Sequence, residues 1–404
     1  MPVFPKSSPE ASAARTSDAG NTSGSTSRQD RLITRDIEEA AREGRPLSHL
    51  YFEALTKGTS GSLRTIAVTT RLDGSELRIP VHEVKGTRDG PTLTLVSTQH
   101  GAEWFSVEIV RRVIAGLTPG ALRGRVVGIP VANPVALEHF TRMTPDESDE
   151  PDLNRVWPGG TTWITEQIAS ALDKEVLAST DYLMDFHPGP WGAALATIGY
   201  GADLPDEKVR RESLEMALAF GHPSIRALKM MGAFPGPRSI AGYAGSVRRI
   251  PNIGPCLGGL GFAPDVERGW VDQQVRGVQN VMRHFGMLDG EPEGLPARYF
   301  HFASRGHRVV PSKGGFLRAG HGPEALMTEV AKGTVLGTVE SPYTFERLED
   351  LVAPVDGVLF GVGRDYMVRP GDWAYFVAES AHPGTAWVKR MASVRETADA
   401  IDRR

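Results

Sequence analysis

Two residues that can bind a metal ion, His100 and Glu103, stand three positions apart directly after the apolar run TLTLVST. The run is rich in apolar and β-branched residues, which predicts a buried strand that ends just before the histidine. On a helical turn this spacing places both side chains on one face. A histidine and a carboxylate are two of the three protein ligands that a catalytic zinc site uses. The alternative interpretation is a helix start with a partly buried histidine and no metal.

A second histidine, His187, follows another apolar segment, DYLMDF. Neighbouring strands of a parallel sheet end at the same edge, where open α/β sheets bind their ligands. His187 is therefore predicted to be the third metal ligand. Asp185 lies two residues earlier and is predicted to hydrogen-bond a ligand imidazole from outside the coordination shell. The alternative is that the two histidines at strand ends are unrelated.

The polar, proline-broken segment between these two strands carries Arg142, Asn154 and Arg155. Guanidinium groups bind carboxylates in a planar fork. An arginine beside a metal can also polarise a carbonyl oxygen. The alternative for such a segment is solvated surface, and its acidic residues fit that description.

The elements that must position these residues alternate between strands and helices from about residue 90 onward. The alternation predicts an α/β fold with a mostly parallel or mixed sheet flanked by helices. After residue 294 the sequence is rich in Gly, Pro and Val, which predicts a small, barrel-like β-rich C-terminal domain. The predicted organisation is a disordered tail at 1–30, a zinc-binding α/β catalytic domain at 31–294, the β-rich domain at 295–385 and a C-terminal tail at 386–404.

Composition excludes several classes of function. The 404 residues carry a formal net charge of −4, with 40% hydrophobic and 23% charged residues, which does not favour binding to nucleic acid or to a membrane surface. No apolar run reaches the roughly 18 residues that a membrane-spanning helix needs. The one cysteine, Cys256, rules out an intrachain disulfide. We expect a cytoplasmic protein whose partner is a small molecule, and a homo-oligomer stays open.

Taken together, these motifs resemble the succinylglutamate desuccinylase/aspartoacylase family, which is zinc carboxypeptidase-like. The resemblance covers about residues 60–380 and is carried by His100-Gly-Ala-Glu103, Asn133-Pro134, Arg142, Asp152-Leu-Asn-Arg155 and Asp185-Phe-His187. It implies one zinc ion held by His100, Glu103 and His187. It also implies that Arg142 polarises the scissile carbonyl and that Asn154 and Arg155 bind a substrate carboxylate.

The sequence departs from the family pattern at Cys256, which occupies the position where members carry a catalytic glutamate. Three interpretations are open. The cysteine is a thiolate nucleophile near zinc, another carboxylate (Asp265, Glu267 or Glu340) supplies the base, or hydrolysis has been lost. A fourth is that Cys256 is simply a small buried residue.

The predicted function is a zinc-dependent amidohydrolase or deacylase that acts on a small N-acyl amino acid or a related amide carrying a carboxylate. Two alternatives stay open: an acyltransferase or amide-forming enzyme that uses zinc and Cys256, and a small-molecule-binding protein that keeps the zinc site without turnover.

Overall fold

The described chain alternates strands and helices in its first two thirds and is almost entirely strands in its last third. The structure, a computed structural model, describes residues 62–145, 151–189, 193–259, 264–303 and 306–404, which belong to one compact unit. The predicted disordered tail at 1–30 lies outside the described residues, as does the first part of the predicted catalytic domain, up to residue 61. In the described part of the chain, no helix is both long enough and apolar enough to cross a membrane.

The α-helices found in the described residues are α1 (Val107–Gly116), α2 (Pro134–Glu138), α3 (Ile164–Glu175), α4 (Glu207–Phe220), α5 (Ile240–Ser246), α6 (Pro264–His284) and α7 (Val394–Asp402). Short 3-10 helices lie at Gly101–Ser106, Leu153–Arg155, Leu177–Ser179 and Pro323–Ala325.

The strands found in the same residues are β1 (Ser62–Thr70), β2 (Glu76–Lys85), β3 (Arg88–Ser97), β4 (Arg123–Ile129), β5 (Tyr182–Phe186), β6 (Ala193–Gly201), β7 (Ser224–Leu228), β8 (Asn252–Gly258), β9 (Arg298–Phe302), β10 (His307–Val309), β11 (Gly315–Ala319), β12 (Glu329–Val330), β13 (Val335–Glu340), β14 (Arg347–Val352), β15 (Gly357–Gly363), β16 (Tyr366–Val368), β17 (Tyr375–Glu379) and β18 (Ala386–Lys389).

The large sheet is mixed. Its main path runs β1-β2-β4-β3-β5-β8-β6-β15-β17-β10, and β7, β9, β12 and β18 branch from it. The contiguous strands β4, β3, β5 and β8 are parallel, so β3, β5 and β8 bring the residues that follow them to one edge. Helices cover both faces, because one apolar cluster contains residues of α1, α4, α6 and α7 and another contains residues of α3 and α5. The predicted α/β fold with a mixed, helix-flanked sheet is confirmed.

The β-rich region after residue 294 is also confirmed, and it is joined to the large sheet. The first residues of β6 pair with β15, whereas its last residues pair with β7. A second sheet of four strands, β14-β13-β11-β16, packs in the same region. Strands from before and after position 294 hydrogen-bond to one another in one sheet. The proposed domain boundary at this position therefore stays a prediction. Residues 386–404, predicted as a tail, form β18 and α7, and Ala398 and Ile401 are buried in the main core.

Candidate active site

The end of β3 delivers His100 to the carboxyl edge of the sheet. The strand is buried over its last six residues, and the chain then turns at Thr98, which has a φ of 53°. His100 precedes the 3-10 helix Gly101–Ser106, and its carbonyl accepts a hydrogen bond from the Glu103 amide at 2.9 Å. A Cβ on Gly101 would lie 1.9 Å from the Ala136 carbonyl oxygen, so only glycine fits against α2 at this turn.

The three predicted metal ligands come together. Glu103 Oε1 lies 2.9 Å from His100 Nδ1, and Glu103 Oε2 lies 2.7 Å from His187 Nδ1. One ligand atom from each residue falls within 4.8 Å of the others. His100 and Glu103 are buried, and His187 is half-buried at the cavity described below. Two imidazole nitrogens and a carboxylate are a donor set that suits a divalent transition metal, so the residues present fit one ion.

The register between β3 and β5 places the end of β5 beside the end of β3. Val96 pairs with Asp185 and Ser97 with Phe186, so His187 follows directly beside the turn that carries His100. Asp185 Oδ2 lies 2.7 Å from His187 Nε2, as expected for a carboxylate behind a ligand histidine. The structure therefore brings Asp185 to the ring nitrogen that faces away from Glu103.

Asp152 holds the other histidine, and sequence reasoning did not select it as a site residue. Its Oδ1 lies 2.8 Å from His100 Nε2, and its Oδ2 accepts from Arg142 Nη2 at 3.1 Å. Arg142 Nη1 also donates to Glu103 Oε1 at 3.1 Å. The arginine thus spans a ligand carboxylate and the carboxylate behind the other ligand. The sequence could have identified Asp152 by its position, because it is the first residue of the motif that carries Asn154 and Arg155.

The charges in this cluster stabilise one another. Burial by itself raises the pKa of Glu103, but His100 and His187 outweigh burial and hold that pKa well below its usual value. Burial also opposes the charged form of His187, yet Asp185 and Glu103 raise the pKa of this histidine well above its ordinary value. The pKa of Asp152 is lowered against its burial, chiefly by the hydrogen bond and charge of His100. Without a metal, Glu103 and Asp152 stay ionised at neutral pH.

Asn154 and Arg155 follow Asp152 in a short 3-10 helix and line the same cavity. Asn154 Oδ1 accepts from the Ile240 amide at 2.8 Å, and its Nδ2 lies 3.2 Å from His187 Nε2. Arg155 donates to the Asn154 carbonyl, and its guanidinium carbon lies 5.0 Å from the centre of the Phe234 ring. Within the described residues, Arg155 makes no ion pair. Its carboxylate-binding role stays a prediction.

Cys256 lies on β8, where it pairs with Thr197 of β6, and it lines the cavity. The His187 amide donates to the neighbouring Pro255 carbonyl at 2.8 Å, which ties the two strands together at the site. Burial raises the pKa of the Cys256 thiol; the charge of His187 opposes the rise, while that of Glu103 adds to it. The three-residue ligand group does not include the cysteine.

The three carboxylates that we considered as substitute bases lie elsewhere. Asp265 is exposed and pairs with Arg268, Glu267 faces a different groove beside α1, and Glu340 pairs with Arg318 in the four-stranded sheet. Among the described residues, the carboxylates lining the cavity are Glu103 and Asp185. The suggestion that Asp265, Glu267 or Glu340 supplies the base is therefore wrong, because rough sequence position does not report which face of a helix or sheet a residue occupies.

The cluster opens into a cavity of about 350 Å³. Its polar end holds the metal-binding group and Arg142, Asn154 and Arg155. The remainder is lined by apolar and aromatic side chains from β6, β7, β15, β17 and the segment before α5, together with Arg226 and Arg308. A mixed lining of this kind, with few polar groups at one end, is typical of a small-molecule site.

An α/β fold with a His-Glu-His group at the carboxyl edge of a mixed sheet defines a class of proteins able to bind a metal. Residues 89–285 match the sequence profile of the succinylglutamate desuccinylase/aspartoacylase catalytic domain. Over these residues the chain is similar to the succinylglutamate desuccinylase/aspartoacylase family.

Relatives of known identity agree with this assignment. The chain is 28% identical over 314 residues to N-alpha-acetyl-L-2,4-diaminobutyric acid deacetylase of Halomonas elongata, covering 74% of this chain and 85% of the relative. A succinylglutamate desuccinylase/aspartoacylase structure from Rhodobacter sphaeroides is 24% identical, with a TM-score of 0.64 over 79% of this chain and 96% of that one. The product-bound ectoine utilization protein EutE (DoeB) of Ruegeria pomeroyi is 21% identical, with a TM-score of 0.66 over 79% and 96%. Both structures share the fold.

Proposed function

We propose that the protein is a zinc-dependent amidohydrolase that removes the acyl group from a small N-acyl amino acid, with one zinc ion per chain. The observation that carries the proposal is the convergence of His100 Nδ1, Glu103 and His187 Nδ1 at the polar end of the cavity. The relative from Halomonas elongata is named as a deacetylase of an N-acetylated amino acid, which supports the same reaction class. The single cysteine, which excludes an intrachain disulfide, favours a cytoplasmic location.

The protein's own part begins with the orientation of the ligand rings. A bound zinc ion would supply Lewis acidity toward the amide carbonyl and would lower the pKa of a water molecule. Asp152 and Asp185 hold the Nε2 atoms of His100 and His187, so both Nδ1 atoms face Glu103. Carboxylates in this position fix the ring and make the ligand nitrogen more basic.

The arginines are proposed to bind the substrate. Arg142 has five N–H donors and uses two of them on Glu103 and Asp152, which leaves donors for the carbonyl oxygen of the scissile amide. Arg155, which makes no ion pair in the described part of the chain, is proposed to bind the substrate carboxylate together with the neighbouring Asn154. Charge-assisted bonds of this kind orient a substrate as well as bind it.

Hydrolysis rather than acyl transfer is favoured by the state of Cys256. In the reaction, water oxygen bonds to the carbonyl carbon, the carbon–nitrogen bond breaks, and the amine nitrogen gains a proton. A covalent route through Cys256 would require a thiolate. Burial raises the pKa of this thiol, which opposes formation of the thiolate. Cys256 is therefore proposed to line the site without forming a thioester.

The test compares zinc-loaded and chelator-treated full-length protein on a panel of N-acyl amino acids, with release of the free amino acid as the readout. We expect turnover by the zinc-loaded protein, loss of turnover after chelation, and recovery when zinc is restored. Glu103→Gln should reduce turnover at least a hundredfold, whereas Glu340→Gln, outside the cavity, should not. Binding of the panel without any release would support the non-hydrolytic alternative instead.

A further inference from the structure

The part of the cavity away from the metal-binding group is built from packed aromatic rings. Phe360 and Phe376 lie 5.6 Å apart between ring centres, and the Trp373 ring meets Phe376 edge-on at 5.4 Å. All three line the cavity. Phe360 and Phe376 are nearly completely buried, which fixes this wall in one arrangement. A rigid aromatic wall favours an apolar group of matching size.

The charges around this wall are positive. Arg226 lies with its guanidinium carbon 5.4 Å from the Phe360 ring centre, and Arg308 lies 5.9 Å from that of Trp373. The carboxylates in the described lining, Glu103 and Asp185, are both engaged by histidines. A cationic group that entered the cavity would lose its hydration and would meet arginines without a free carboxylate in that lining.

The predicted carboxylate-binding residue, Arg155, lies close to an aromatic side chain that also lines the cavity. Arg155 lies over Phe234, 5.0 Å from the ring centre. When Arg155 binds the carboxylate of an amino acid, the side chain of that amino acid therefore begins next to an aromatic ring. Phe234 is half-buried and lines the cavity.

We infer that the site takes N-acyl amino acids whose side chain is uncharged and apolar, aromatic or branched aliphatic, and that it rejects a cationic side chain. The inference rests on the proposed amide hydrolysis for the placement of the acyl group and the carboxylate. The inferred preference for an uncharged side chain distinguishes this chain from its Halomonas elongata relative. The name of that relative specifies 2,4-diaminobutyric acid, an amino acid with an amine in its side chain. Differences in packing of one group in an apolar pocket change specificity by about tenfold or more.

The experiment uses the zinc-loaded full-length protein with two ligands, N-acetyl-L-phenylalanine and Nα-acetyl-L-2,4-diaminobutyrate. Calorimetry measures binding, and amine release measures kcat/KM. We expect the phenylalanine derivative to bind at least about tenfold more tightly. Equal, reversed or undetectable binding overturns the inference. If the phenylalanine derivative binds more tightly but neither ligand is turned over, the inferred side-chain preference stands and the proposed hydrolysis is refuted. If the diaminobutyrate derivative is turned over in preference, hydrolysis stands and the inferred preference is refuted.

Two variants with matched controls locate the preference. Phe234→Ala should reduce the ratio of the two binding constants about tenfold, whereas Phe345→Ala, an exposed ring outside the cavity, should leave it unchanged. Arg308→Glu should tighten binding of the diaminobutyrate derivative severalfold. Arg276→Glu makes the same charge change on the exposed surface of α6 and should not. A ratio that neither cavity variant alters would place the discrimination elsewhere and overturn the inference.

Discussion

Gln99 Nε2 donates to Asp185 Oδ2 at 2.8 Å, the same oxygen that lies 2.7 Å from His187 Nε2. Gln99 Oε1 in turn accepts from the Trp157 indole at 3.1 Å. Gln99, Asp185 and Trp157 are all buried. The amide of Gln99 therefore fixes the carboxylate that fixes the histidine ring, and a buried tryptophan fixes the amide. Gln99 is thus a positioning residue for the proposed zinc site, and sequence reasoning did not identify it.

Replacing Gln99 by leucine should weaken zinc binding about tenfold to a hundredfold, as expected for a residue behind the ligands. The change removes one donor to Asp185 and leaves the Trp157 N–H without its acceptor. Zinc affinity is measured by competition with a chromophoric chelator. Gln167→Leu is the control, because the side-chain amide of Gln167 donates to the exposed backbone carbonyls of Thr161 and Thr162, away from the cavity. Equal zinc affinities in the two variants would contradict the positioning role.

Cys256→Glu should raise kcat for an N-acyl amino acid about tenfold or more. A carboxylate at this position can accept a proton from the attacking water, and general bases commonly contribute a factor of about 10² to 10⁴. Cys256→Ser should change kcat by less than about threefold, because the proposed reaction forms no bond to sulfur. Steady-state kinetics of both variants, at saturating zinc, measure these effects.

A covalent role for Cys256 has a distinct signature. It would appear as a mass increase equal to the acyl group when the wild-type protein is mixed rapidly with substrate and quenched in acid. Loss of activity in Cys256→Ser together with that adduct would replace hydrolysis through water by acyl transfer through a thioester.

Acid should destabilise the fold through His222. Its Nδ1 accepts from the Ser224 amide at 3.1 Å, and burial lowers its pKa to about 4. In the unfolded chain the pKa is about 6.5, so the unfolded state binds a proton first as pH falls. Stability from the neutral ring is complete above about pH 6.5 and declines toward pH 4, by roughly 3 kcal/mol in all, since each unit of pKa difference corresponds to about 1.4 kcal/mol.

His222→Asn keeps an acceptor for the Ser224 amide but does not titrate. Urea unfolding at pH 7 and pH 4.5 should show a smaller acid-induced loss of stability for this variant than for the wild type. An equal loss in the two proteins would mean that other groups account for the acid sensitivity.

The grouping of His100, Glu103 and His187 was predictable from sequence because each of them lies shortly after the end of a buried strand. The ends of β3 and β5 meet at one edge for reasons of backbone pairing alone, so the residue types at those ends suggested their chemistry. Asp152 and Gln99 were missed for the opposite reason. Asp152 reaches a histidine 52 residues away through an irregular segment, and Gln99 reaches Asp185 from the turn after β3, where no periodic pattern reports side-chain direction.

The sequence also predicted the β-rich C-terminal region but not its attachment. Strand β6 pairs with β15 through Ala193–Leu195 and with β7 through Ile198–Gly201. Nothing in the pattern of side chains along β6 indicates that this strand pairs with two different strands along the same edge. The consequence matters for function, because this pairing brings Phe360 and Phe376 to the cavity and makes the C-terminal strands part of its wall.

The central claim is that His100, Glu103 and His187 hold one zinc ion. Crystals of zinc-replete protein, measured at the zinc absorption edge, test it most directly by anomalous scattering. We expect one strong peak per chain at about 2.0 to 2.2 Å from His100 Nδ1, His187 Nδ1 and a Glu103 oxygen. Zinc-replete crystals with no peak among these three residues, or with a peak only at another place, would contradict it.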